Sequence, residues 1–258
     1  MQADHDHSFK SRDLVYPLEE TYVTCLRYLS DSKILVAYSN GAIAFWDVSL
    51  GTISVELGGH DGAVTSLALS SIYRSAAVAR KREKKRTFTE ISTHHPNYNS
   101  RSDEMDLVFD QRKEMSWFVS GGVDKSVRVW DLRMPNKPAL TAFSSHKGQI
   151  NCVESFVDPC CFGSASDDGS IRLFDIRTFR TLNMFQTKYP VTSVSFSSTG
   201  QFVFGGLDDY TCRVWDTISG EELQSLSGHE GKVSCTGVPE NGGALCTASW
   251  DTTIRIWA

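Results

Sequence analysis

Apolar and polar positions alternate with a period of two, in short runs. Val127 and Val129 alternate with Arg128 and Trp130, and Ile254 and Ile256 with Arg255 and Trp257. A period of two sends successive side chains to opposite faces of a strand. Gly, Asp and Asn punctuate the runs as turn residues. No long segment carries the 3.6-residue period of a helix. The pattern predicts an all-β chain of many short strands.

The runs repeat. AFWDVSLG at 44–51, VRVWDLR at 127–133, IRLFDIR at 171–177, RVWDTISG at 213–220 and IRIWA at 254–258 share one form. Their anchors Trp46, Trp130, Phe174, Trp215 and Trp257 are spaced by 84, 44, 41 and 42 residues. Gly-His stands at 59–60 and 228–229, and Ser-His at 145–146. An acidic turn precedes most anchors, and the His-to-Asp spacing is 22 residues both from His146 to Asp168 and from His229 to Asp251. A period near 42 predicts one four-stranded sheet per repeat, arranged radially as a β-propeller. Five blades are expected, over about 22–48, 60–132, 146–177, 191–217 and 229–258. They make one propeller domain over 22–258, behind a leader at 1–21. The second repeat is about 42 residues too long, and its surplus at 71–113 includes RKREKKR. That segment reads as a disordered basic insertion. The last repeat stops at its third strand. Leu14, Val15, Tyr16 and Leu18 are candidates for the strand that closes it. The ring is then five-bladed, or else an incomplete seven-bladed one.

The repeated polar residues have a structural use. Each repeat can link a loop His, a strand hydroxyl, a turn Asp and an indole N–H. The sets are His60–Ser120–Asp124–Trp130, His146–Ser164–Asp168, which ends on Phe174, and His229–Thr247–Asp251–Trp257. His, Ser and Asp suggest a hydrolase, but a catalytic triad needs one site with an oxyanion hole, and this trio recurs. No nucleophile elbow, P-loop or metal-ligand spacing is present. His94 and His95 lack further ligands nearby. The reading is therefore no enzyme, no metal and no cofactor. The net charge of −5 argues against a nucleic-acid partner. Seven cysteines without CxxC, behind a polar N-terminus, point to reduced thiols and a cytoplasmic setting. No apolar run approaches the ~20 residues of a membrane helix.

The stretch from His146 to Ala258 resembles the WD repeats of the heterotrimeric G-protein β subunit. SASDDGSIRLFDIR, VTSVSFSSTGQFVFGGLDDYTCRVWD, GHEGKVSC and ASWDTTIRIWA carry the resemblance. The first two repeats fit the same family less closely. The resemblance implies a non-catalytic signal transducer in G-protein-coupled receptor signalling. It would bind the GDP-bound α subunit and effectors, and through partners sit at the inner face of the plasma membrane. It implies contact roles for Tyr22, Asn151, Asp167, Thr192, Asp208, Lys232 and Trp250. Ala63, Thr65, Val123 and Gln149 depart from the family, and Ala63 and Gln149 each remove an expected carboxylate. The family's N-terminal helix and first two blades have no counterpart here, so a γ subunit is expected to bind otherwise or not at all. The alternative is a WD-repeat scaffold of another complex, such as a ubiquitin-ligase substrate receptor or an RNA-processing assembly.

Overall fold

The computed structural model describes residues 20–70, 116–134, 137–239 and 241–258. The basic segment at 71–113, the leader residues 14–18 and the His94–His95 pair lie outside them. The described residues form nineteen strands and no helix. Blade one holds β1 (Val23–Tyr28), β2 (Lys33–Tyr38), β3 (Ile43–Asp47) and β4 (Thr52–Leu57). Blade two holds β5 (Val64–Leu69), β6 (Trp117–Gly122), β7 (Val127–Asp131) and β8 (Thr141–Phe143). Blade three holds β9 (Ile150–Ser155), β10 (Cys161–Ser166), β11 (Ser170–Asp175) and β12 (Arg180–Gln186). Blade four holds β13 (Val191–Phe196), β14 (Phe202–Leu207), β15 (Cys212–Asp216) and β16 (Glu222–Leu226). Blade five has three described strands, β17 (Val233–Gly237), β18 (Leu245–Ser249) and β19 (Ile254–Trp257). Every pairing is between sequence neighbours and antiparallel. These are the stacked sheets of a β-propeller.

The first strands of successive blades pack on one another: β1 on β5, β5 on β9, β9 on β13 and β13 on β17. The second residue of each strand ties the joint. Thr24 donates its hydroxyl to the Val64 carbonyl, Thr65 to Ile150, and Thr192 to Val233. Asn151 does the same with its amide, at 2.9 Å from the Val191 carbonyl. The belt stops at blade five, where Ser234 bonds instead to Ala248 of its own blade. The leading residues tell the same story. Val64, Ile150, Val191 and Val233 are fully buried, whereas Val23 at the start of blade one is 53 % exposed. Among the described strands no comparable packing joins β17 back to β1. The described blades form an arc with two ends.

The core lies between blades. Leu35, Ile43 and Phe45 of blade one meet Leu67, Phe118 and Trp130 of blade two. Val119 and Val129 of blade two meet Ile150, Phe162 and Phe174 of blade three. Ile171 and Leu173 of blade three meet Val203 and Trp215 of blade four. Strand alternation sends one set of side chains to each neighbouring blade, which is why both faces of the central strands are apolar. The far edge is different. β19 has no described partner strand on its outer side, and Ile254 and Ile256 are 70 % and 73 % exposed.

Buried polar chains brace three blades. In blade two, His60 Nδ1 lies 3.0 Å from Asp124 Oδ1, His60 Nε2 lies 2.7 Å from Ser120 Oγ, and the Trp130 indole lies 2.8 Å from the same oxygen. Proton accounting assigns each role. The indole only donates, so Ser120 Oγ accepts from it. The seryl hydroxyl then donates to Nε2, and Nδ1–H donates to the carboxylate. In blade five His229 Nδ1 is 2.7 Å from Asp251, Nε2 is 2.8 Å from Thr247 Oγ1, and the Trp257 indole is 3.0 Å from that oxygen. In blade three His146 is 2.9 Å from Asp168 and 2.6 Å from Ser164, and Phe174 offers no donor. Burial pushes the His60 and His146 imidazoles below their ordinary value, against the pull of the neighbouring carboxylates. Burial alone would raise the Asp124 carboxyl, but hydrogen bonds from His60 and Ser126 outweigh it and hold it down to about 2. In blades two and three, neutral imidazole beside carboxylate is therefore the resting state.

The two blades without the His solve the problem differently. Gly122 stands against the His60 ring, and a Cβ there would meet His60 Nδ1 at 2.7 Å. Blade one has no such His, and Tyr38 occupies the position equivalent to Gly122. Its hydroxyl takes the Trp46 indole N–H at 2.7 Å. Blade four has Gly205 where blade two has Ser120, and Trp215 packs into that space, with its ring 2.9 Å from where a Cβ would stand.

Two predictions follow from these contacts. Thr65→Val keeps the shape but removes the hydroxyl that bonds the Ile150 carbonyl of the next blade. The cost should be about 1–3 kcal/mol of unfolding free energy in a urea titration. Ser120→Ala orphans both an imidazole nitrogen and an indole N–H, whereas Ser164→Ala orphans only the imidazole nitrogen. Ser120→Ala should therefore be the more damaging by about 1 kcal/mol, read from the urea midpoints at equal slope. Equal losses would remove the indole from the chain of bonds.

Candidate protein-binding surface

In each blade the turn between the second and third strands lies at the same end as the loop entering the first strand. The first residue of that turn donates its N–H to the residue just before the inner strand. The bonds are Ser39 to Tyr22 at 3.0 Å, Val123 to Ala63 at 2.9 Å, Asp167 to Gln149 at 3.0 Å, Asp208 to Pro190 at 3.1 Å and Trp250 to Lys232 at 3.0 Å. The repeat thus presents five side-chain pairs in order along one end of the arc, here called the loop end.

Five of the seven expected contact residues sit in these pairs. Tyr22 is 67 % and Trp250 69 % exposed. Lys232 Nζ lies 3.6 Å from the centre of the Trp250 ring, a cation–π contact that steadies the indole in water. Asp167 and Asp208 are exposed and occupy the same position in neighbouring blades. The other two residues sit in the belt below. Thr192 is occupied by the carbonyls of Gly206 and Val233. Asn151 donates to the Val191 carbonyl and also to Asp167 Oδ1 at 2.6 Å, so it aims one of the surface carboxylates. Their amide and hydroxyl protons are already used within the fold.

The third residue of the same turn has a left-handed backbone in all five blades. Gly41 and Gly169 take it without cost, but Lys125, Tyr210 and Thr252 hold φ of 66°, 71° and 67°. A non-glycine residue there costs about 1–3 kcal/mol. Tyr210, half exposed, is set beside Asp208 and Asp209 by this turn. Lys125 and Tyr210 are surface residues that sequence reasoning missed. The loop end therefore runs from Tyr22 through the apolar pair Ala63 and Val123 to two carboxylates, and ends on an indole and a cation. Exposed Trp and Tyr beside oriented charges suit a protein partner.

Bond-making chemistry finds no support in the buried trios. Ser120, Ser164 and Thr247 are fully buried, and each hydroxyl is engaged with its His. Among the described residues no group of three or more His, Cys, Asp or Glu is placed to hold a metal ion. No disulfide joins the seven cysteines, and burial pushes the Cys152, Cys161 and Cys212 thiols up to about 12. No helix of the described residues is long and apolar enough to cross a membrane.

Comparison with known proteins agrees with this geometry. The family model described as "WD domain, G-beta repeat" matches residues 111–131, 137–175, 179–216 and 220–258, over half of the chain. A guanine nucleotide-binding protein subunit beta of Arabidopsis thaliana is 32 % identical over 249 residues, which cover 92 % of this chain and 56 % of the relative. One from Oryza sativa subsp. japonica is 33 % identical over 276 residues, covering 100 % of this chain and 61 % of the relative. The beta-1 subunit of Nicotiana tabacum is 42 % identical over 151 residues, covering 55 % and 40 %. The chain spans at most about three-fifths of the length of these relatives. The repeat, the blades and the family match together place it: the chain belongs to the WD-repeat family, of the G-beta type.

Proposed function

We propose that this chain acts as a G-protein β-like transducer. Its loop end binds a GDP-bound α subunit and releases it for effectors after nucleotide exchange. The observation that carries this reading is the exposed Trp250, held by Lys232, on the same rim as Asp167, Asp208 and Tyr22. An aromatic anchor on a polar rim is the usual form of an interface hot spot. The similarity to subunits named guanine nucleotide-binding protein subunit beta supplies the partner class. Binding is nucleotide-dependent if the α surface that meets this rim differs between its GDP and GTP forms. The setting is the cytoplasmic side of the plasma membrane, with non-catalytic recognition as the whole activity. A γ subunit belongs to the same reading, at a site other than a coiled coil with the described residues, which form no helix.

The test is a titration against a GDP-bound α subunit. Trp250→Ala should weaken binding by more than about 1 kcal/mol, roughly fivefold. Its melting temperature should stay unchanged, because the side chain lies outside the core. Unchanged affinity, or equal affinity for the GDP and GTP forms, would refute the assignment.

A further inference from the structure

Blades one to four each carry a fourth strand along the outer edge of the third, and its register is the same in all four. The residue three before the anchor ring of the third strand faces an apolar residue near the end of the fourth. Ile43 faces Leu57, Val127 faces Phe143, Ile171 faces Phe185 and Cys212 faces Leu226. Leu57, Phe143 and Phe185 are buried, and Leu226 is half-buried. The buried ones fasten the strand. Leu57 shares a core with Ile43 and Phe45, and Phe143 with Val127 and Val129. Phe185 shares one with Ile171 and Leu173, and its ring centre is 6.0 Å from that of Trp215. The backbone bonds repeat as well. The Leu140 N–H donates to the Val129 carbonyl at 2.7 Å, and the Asp216 N–H donates to the Glu221 carbonyl at 3.0 Å.

Blade five has the same edge and, among the described strands, no fourth one. β19 repeats the third-strand form, with Ile254 three before Trp257 and Ile256 at the place of Val129. Ile43, Val127 and Ile171 are fully buried in their blades, whereas Ile254 and Ile256 stand mostly in water. By equivalence with Val129 and Asp216, the backbone groups of Ile256 and Ala258 point outward from the sheet. The edge lacks the usual guards against pairing. β19 contains no proline, and its register with β18 runs without a bulge. Its one charge, Arg255, alternates with the isoleucines onto the other face. The four filled blades define what such an edge takes. It is an antiparallel strand with a large apolar side chain opposite the first of the two isoleucines. In this mode the main chain gives affinity, and the side-chain pocket gives specificity and register.

We propose that β19 accepts a fourth strand in trans, from an extended segment of a protein partner that runs antiparallel to it and places a Leu or Phe opposite Ile254. The segment completes the sheet of blade five and covers both isoleucines. The probe is a fluorescein-labelled peptide with the sequence of residues 180–187, RTLNMFQT, which holds the β12 strand and its Phe185. Fluorescence anisotropy should show saturable binding to the full chain. The Phe185→Ser peptide should bind about tenfold more weakly, the loss of one buried aromatic. The unchanged peptide should lose as much against the chain variant Ile254→Ser, Ile256→Ser. The melting temperature of that variant should stay the same, because both side chains lie in water. Hydrogen exchange in 254–258 should slow when the peptide binds. Absence of binding, equal binding of the Phe185→Ser peptide, or full binding to the doubly substituted chain would overturn the proposal. So would residues 254–258 already protected in the free chain, which would mean a strand from its own sequence. A doubled mass in sedimentation that the double substitution abolishes and the peptide leaves untouched would also overturn it, in favour of a second copy.

Discussion

The joint between neighbouring inner strands governs this structure. A single blade is a twisted sheet with two apolar faces, and it cannot bury both alone. Stacking buries them, but it also takes strand-end carbonyls out of water. Each such carbonyl needs a donor from the blade next to it. Thr24, Thr65, Asn151 and Thr192 supply it, one per joint. The donor also sets how far one blade can slide on the next. Everything on the loop end inherits that register. Asp167 and Asp208 stand at matching heights because the strands below them are tied at matching residues.

Much of this was legible in the chain. The period of about 42 gives the blades, and the alternation around each Trp gives the face each side chain takes. The polar chain of His, hydroxyl, Asp and indole is legible for the same reason: a buried donor must be paired, and only one set of partners recurs with it. Other features were hidden by their ordinariness. A Val-Thr or Ile-Asn pair at the start of a strand looks like common β composition, and only the neighbouring blade reveals what the hydroxyl serves. Tyr38 is a replacement at a distance: it answers the missing His of its blade from another strand, and spacing carries no trace of that. Asn151 and Thr192 show the limit of reading contacts from likeness. Both are expected contact residues, yet their donors are engaged within the fold, so any part they take in a partner surface runs through the backbone or through Asp167. Lys125 and Tyr210 were missed because a left-handed turn is expected to hold glycine.

The two ends of the arc differ in chemistry. The loop end mixes aromatic rings, carboxylates and a cation on rigid turns, which favours orientation-specific recognition of a protein. The opposite end, at the turns between third and fourth strands, exposes Leu50, Phe179 and Ile218. Among the described residues, the hydroxyls that lie beside His are buried, as are Cys161 and Cys212. A stiff body that holds such a rim in place fits the transducer role proposed above. The stiffness comes from the belt, and the specificity from the turns it positions.

The most direct measurement is hydrogen exchange by mass spectrometry on the whole chain, alone and with a GDP-bound α subunit. Protection is expected in the turns around Asp167, Asp208 and Trp250 and in the loops before β13 and β17, with the turns at Leu50, Phe179 and Ile218 unchanged. Protection confined to the turns at Leu50, Phe179 and Ile218, or none at either end of the arc, would contradict the loop end as the partner-binding surface.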